Sequence, residues 1–166
     1  MILTRRTRTP RLVATVAVGL TVALGATGCS IMAPQATTIQ YSASDGVNVP
    51  ASGPLTVRNA LIIADEAGTT GNLIAAIIND TASAATLNVG VGGRVLTVQV
   101  PANTTVSLGV DGAEPLMISG LGATPGHNVE VSFQSGDGEG VELSIPVLDG
   151  TLPQYAPFAP AAAQAG

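Results

Sequence analysis

The stretch "NVEVSFQSGDGEGVELSIPVL", residues 128–148, decides the fold. In its first half Val129, Val131 and Phe133 alternate with Asn128, Glu130, Ser132 and Gln134. In its second half Val141, Leu143, Ile145 and Val147 alternate with Glu142, Ser144 and Pro146. Successive side chains of a strand point to opposite faces, so each half reads as a β-strand with one buried face and one wet face. The glycine-rich "SGDGEG" (135–140) between them reads as a hairpin loop.

The same period extends outward. Leu87, Val89 and Val91 alternate with Thr86, Asn88 and Gly90, and Val106, Leu108 and Val110 alternate with Thr105, Ser107 and Gly109. "GRVLTVQV" (93–100) and "PLMIS" (115–119) add two more strands. "LTVRNALIIA" (55–64) and "GNLIAAIIND" (71–80) are apolar on both faces. Their length, β-branched content and flanking turns favour central strands over short helices. Turn signals fall at Ala67-Gly68, Gly92-Gly93, Asp111-Gly112, Pro125-Gly126 and Asp137-Gly138. Seven or eight short strands at this spacing predict an all-β fold, an antiparallel immunoglobulin-like β-sandwich over residues 54–149. There is no tryptophan and only one cysteine, so the antibody-type core pair is absent. The core must be aliphatic, with Phe133 as its aromatic anchor.

The N-terminus reads "MILTRRTRTPRLVATVAVGLTVALGATGCS". Arg5, Arg6, Arg8 and Arg11 precede an uncharged run over 12–28, rich in Val, Ala and Leu. That is the layout of an export signal, and it is short for a membrane span. The positive flank stays inside, so the rest is carried outward. Ala26-Thr27-Gly28-Cys29 resembles a bacterial lipobox, with Ala26 where leucine is usual. Arg5-Arg6 is not followed by the apolar pair of a twin-arginine signal. Cys29 is the only cysteine, so no disulfide forms within the chain. Its place after small residues predicts lipidation, and two or more acyl chains give stable anchoring. The expected organisation is a signal peptide (1–28), a flexible tether (29–53), the β domain (54–149) and a disordered tail (150–166). The tether is rich in Ala, Thr, Ser, Pro and Gly, and the tail carries Pro153, Pro157 and Pro160. Tyr155 and Phe158 read as part of a solvated tail; the less favoured alternative is that they dock on the domain or on a partner.

Beyond the leader only Arg58 and Arg94 stand against eleven acidic residues, a formal charge of −9 with no lysine. Such a surface is repelled by phosphate backbones and anionic headgroups, so nucleic-acid binding is not expected. Membrane contact is expected through the lipid.

The segment "VQVPANTTVSLGVDGAEPLMISGLGATPGHNVEVSFQSGDGEGVELSIPVL" resembles the periplasmic PCu(A)C-type copper chaperones and, more closely, actinobacterial cell-envelope lipoproteins of the LpqE type. The elements that carry the likeness are Pro115-Leu116-Met117, Gly120-Leu121, the run from Pro125-Gly126-His127 to Phe133, and the final strand 141–147. They span about half of the β domain. The copper-binding members share a pattern H-x₁₀-M-x₂₁-H-x-M. Thioether and imidazole suit Cu(I), and donors at i and i+2 of a strand point the same way. Carried onto this chain, the resemblance puts Met117 at the last methionine, Pro115 at the paired histidine, Gly93 at the first methionine and Ala82 at the first histidine. Three of the four positions therefore have no donor, and no metal site is expected. Met117 reads as a strand residue and His127 as a turn residue.

No catalytic constellation is visible. With one histidine, a Ser-His-Asp triad would have to use His127, and no serine sits in a nucleophile elbow. The carboxylate pairs Asp65-Glu66 and Asp137-Glu139 fall in turns and read as solvated. A hydrolase built on them is the least favoured reading. "GVGGR" (90–94) lacks Walker spacing, and "GDGEG" lacks the spaced oxygen ligands of a calcium loop. The sequons at Asn79 and Asn103 are set aside for an exported bacterial protein. The sequence thus predicts a noncatalytic binding or accessory module, lipid-anchored at the extracytoplasmic face of the cell membrane. No cofactor is expected, and an unknown envelope protein is the expected partner. The alternative is a divergent copper chaperone using Met117, His127 and Met32.

Overall fold

The computed structural model describes residues 44–110 and 112–160. The leader, Cys29, Met32, the tether up to residue 43 and residues 161–166 lie outside the described residues. What is described is an all-β sandwich of eight strands, as the alternation predicts. The strands are β1 (Leu55–Ala64), β2 (Thr70–Asn79), β3 (Ala85–Val91), β4 (Arg94–Val100), β5 (Thr104–Ser107), β6 (Leu116–Ser119), β7 (Asn128–Ser135) and β8 (Val141–Leu148). Their order is β4-β3-β7-β8-β1-β2-β5, with β6 also on β2. β5 takes residues 76–79 of β2 and β6 takes residues 70–73, so the two lie end to end along one edge.

All pairings are antiparallel except one. β8 meets β1 in parallel, at Ile62↔Val147 and Ile63↔Leu148. The tight hairpin that forces antiparallel pairing is missing here, because these strands are the first and last of the domain. The run 105–110 also departs from expectation. β5 ends at Ser107, and Val110 is exposed rather than inward. Gly109 at φ 86 turns the chain, and Val110 N–H donates to the Ser107 carbonyl at 3.0 Å.

The core is aliphatic around Phe133, which is fully buried with Leu55, Val57, Ile62, Leu73, Ile77, Leu87, Val89, Ile145 and Val147. The double-faced character of β1 has a specific cause. Leu55 and Val57 face this core, but so do Ala60, Ile62 and Ala64, so the parity changes between them. The register shifts there: Arg58 pairs with Ala76 and Leu61 with Ile74, which inserts one extra residue in β1. This is a β-bulge, and Asn59 sits in it at φ 52. The bulge turns Leu61 and Ile63 to the opposite face, where they form a second cluster with Ile74.

That second face is covered by the tail. Leu148, Tyr155, Phe158 and Ala159 pack on it, and Ala156–Phe158 form a 3₁₀ turn. The Asn72 side-chain amide donates to the Phe158 carbonyl at 2.9 Å, and the Tyr155 hydroxyl donates to Asp45. Residues 150–160 are therefore a packed strap, not a disordered tail. The prolines exclude a strand or a long helix but not packing, and Pro157 lies within the 3₁₀ turn itself. The tether likewise stops short of residue 53, because the described residues from Ser44 onward already belong to the compact unit. Val47 exchanges two backbone hydrogen bonds with Ala60, at 2.9 and 2.8 Å, and Val49 is buried. Gly46 N–H and the Ser44 hydroxyl both donate to Asn59 Oδ1, at 2.9 and 2.7 Å. The bulge thus gives this segment its docking point.

Candidate functional site

Met117 and His127 are the described residues that sequence reasoning offers as soft donors. β6 is held on β2 with Met117 opposite Asn72 and Ile118 opposite Gly71. Ile118 points into the core, so Met117 must point out, and it is 61% exposed. Its thioether stands on the strap side of the sheet, opposite the Asn72 that binds the Phe158 carbonyl.

His127 is held differently. Gly126, at φ 89, lets the chain turn after Pro125. Gly126 N–H donates to the Val147 carbonyl at 2.8 Å, and Val147 N–H donates to the His127 carbonyl at 2.9 Å. The imidazole Nδ1 lies 3.2 Å from the Thr124 hydroxyl. The ring lines a surface groove of about 540 Å³ with Gly68, Thr69, Gly120, Gly122 and Thr124. Met117 is not among the groove's lining residues. The other positions of the copper pattern supply no donor: Ala82 is exposed in the β2–β3 loop and Gly93 in the β3–β4 turn. Among the described residues, no three His, Cys, Asp or Glu side chains gather as a metal site.

The carboxylates have structural employment. Asp65 closes the β1–β2 turn: its carboxylate accepts from Thr69 N–H at 2.8 Å, the Thr69 hydroxyl at 2.7 Å and Thr70 N–H at 3.0 Å. The Thr69 hydroxyl, helped by these N–H groups, holds its pKa below the usual carboxylate value. Asp149 is lowered in the same way by the hydroxyl and N–H of Thr151. Both are ionised turn acceptors, and neither resembles a raised-pKa general acid. Asp137 and Glu139 are exposed in the β7–β8 loop. The Gln134 amide already donates to the carbonyls of Gly136 and Gly138 in that loop, so those oxygens are engaged.

Sequence reasoning missed the polar residues that organise the fold. Asn79 is fully buried, and its amide donates to the carbonyls of Ser83, Val100 and Pro101 at 2.9, 3.1 and 3.0 Å. Its Oδ1 accepts from the N–H and hydroxyl of Thr81. A side chain so enclosed is no glycan acceptor. The signal was present, since an Asn at the end of an apolar strand that leads into a loop is a natural loop clamp. The Tyr155 phenol is held above its ordinary pKa, first by its hydrogen bond to Asp45 and then by burial.

No protein-family model matches the chain, and no curated protein matches it. Among solved structures it is similar to PCuAC domains. The copper-bound PCuAC domain from PmoF2 is 13% identical with a TM-score of 0.48, covering 62% of this chain and 98% of that one. The apo PCuAC domain from PmoF1 is 15% identical with a TM-score of 0.49, covering 61% and 98%. The apo PmoF2 PCuAC domain is 12% identical with a TM-score of 0.47, covering 61% and 95%.

Proposed function

We propose that this chain is a noncatalytic binding or accessory module of a bacterial cell envelope, held at the extracytoplasmic membrane face by lipid on Cys29. The location rests on four arginines, an apolar run and Ala26-Thr27-Gly28-Cys29 in that order. The absence of bond-making chemistry rests on the dispersal of reactive side chains. Asp65 and Asp149 serve turns, and His127 rests against Thr124. The observation that carries the choice between module and metal carrier is that Met117 is not part of the groove into which His127 looks. One thioether is a poor site on its own, because soft-metal sites gather several donors.

A second reading, copper carriage, draws on the exposure of Met117, whose thioether is free to meet a metal in solution. Two measurements test these readings. Cys29→Ser is expected to move the protein from the membrane fraction to the soluble fraction and to block processing; unchanged retention would exclude the anchor. Cu(I) titration of the protein is expected to give the same weak binding for wild type and for a Met117→Ala, His127→Ala double variant. A loss of tight binding in the double variant would establish the second reading instead.

A further inference from the structure

We propose that β4 is a dimerisation edge: it pairs antiparallel with β4 of a second copy of this chain, about a two-fold axis at Thr97. Among the described residues β4 pairs as a ladder only with β3, as the last strand of the order; at its two ends the Arg94 side chain reaches the Ser119 carbonyl of β6 and the Asn79 amide of β2 holds the Val100 carbonyl. An edge strand presents alternate N–H and C=O groups outward, ready to take another strand. Such edges are normally blunted by lysine, proline, an inward charge or a bulge. β4, "RVLTVQV", has no lysine, proline or carboxylate. Its register with β3 runs through seven consecutive pairs without a shift. The opposite edge is different, being made of two four-residue strands, β5 and β6. Val95, on β4, is 68% exposed.

The strand's own sequence says which occupant fits. With the axis at Thr97, Thr97 faces Thr97, Leu96 faces Val98 and Val95 faces Gln99 of the second copy. Thr–Thr and aliphatic pairs are favourable cross-strand neighbours. The ends of the strand are also complementary. Arg94 begins it. At its other end the Asn79 amide holds the carbonyls of Val100 and Pro101, which brings the β2–β3 loop and its exposed Asp80 there. Antiparallel pairing carries Arg94 of each copy to the Asp80 end of the other, twice over. Parallel pairing would leave like charges together. A two-fold interface requires this self-complementarity. The remaining surface is strongly acidic, with Glu130 and Glu142 beside the Arg94 end, so the strand's one cation is what each copy offers to the Asp80 end of the other. The inference does not rest on the anchor, although confinement to a membrane would raise the effective concentration.

The test uses the full chain in detergent, with Cys29→Ser to remove the native thiol. Mild oxidation of Thr97→Cys is expected to give disulfide-linked dimers about tenfold faster than Thr104→Cys on exposed β5, because only position 97 meets itself at disulfide distance. In sedimentation equilibrium, Arg94→Asp and Asp80→Arg are each expected to weaken the dimer about tenfold or more, and the double exchange to restore it. Arg94 also donates to the Ser119 carbonyl at 3.0 Å, so restoration by the double exchange, not the single loss, is decisive. A protein monomeric at all concentrations, equal cross-linking at 97 and 104, or a double exchange that fails to restore association would each overturn the proposal.

Discussion

At φ 52, Asn59 occupies the left-handed region, which disfavours a residue bearing a Cβ by roughly 1–2 kcal/mol and which asparagine tolerates better than most. Its side-chain oxygen accepts from Ser44 and Gly46, and its N–H donates to the Asn48 side chain at 3.1 Å. One residue therefore both shifts the strand's parity and fastens the N-terminal segment. Asn59→Ala is expected to lower stability by about 2–3 kcal/mol in urea denaturation, combining backbone strain with lost hydrogen bonds. Asn59→Gly keeps the backbone comfortable and should lose less; an equal loss would mean that the side-chain bonds dominate. The sequence held a trace of this. Leu55 and Val57 fit one alternation while Ala60, Ile62 and Ala64 fit the other, with a polar Arg58-Asn59 at the break. The apolar residues were legible; the shift was hidden because period-two reading presumes an unbroken strand.

At the scale of elements, each expected strand forms, and most end within a residue or so of the alternation that marks it. Local pattern suffices there, because a half-buried strand needs only one apolar face. The strap is the contrary case. Its composition alone reads as unstructured, yet Tyr155 and Phe158 cover Leu61, Ile63 and Ile74. What orders it is an apolar face far away in sequence, exposed by the bulge in β1. Phe158→Ala is expected to cost about 2 kcal/mol, since the ring is only partly enclosed. Truncation after Leu148 should cost more and raise the binding of a hydrophobic dye, by uncovering the second cluster. Unchanged stability and dye binding in both proteins would show that the strap contributes nothing to that face.

At the scale of the whole molecule, two elements of the expected plan gained partners from tertiary packing. The tether's last residues joined β1, and the tail joined the outer face of β1 and β2. The donor set of the candidate copper site went the other way. Met117 and His127 are ten positions apart in sequence, within reach of a shared site as far as spacing can tell. The register of β6 on β2 turns Met117 outward, while the Gly126 turn gives His127 to another groove.

The sequence by itself determined the fold class, the places of the strands and the aliphatic character of the core. All of these follow from side-chain periodicity and turn chemistry within a few residues. Only the tertiary structure decided the parallel meeting of β8 with β1, the docking of the strap, the burial of Asn79, and the placing of His127 in a groove that Met117 does not line. Those depend on which distant surfaces come into contact, and for the strap a single extra residue in β1 set the apolar face that it covers.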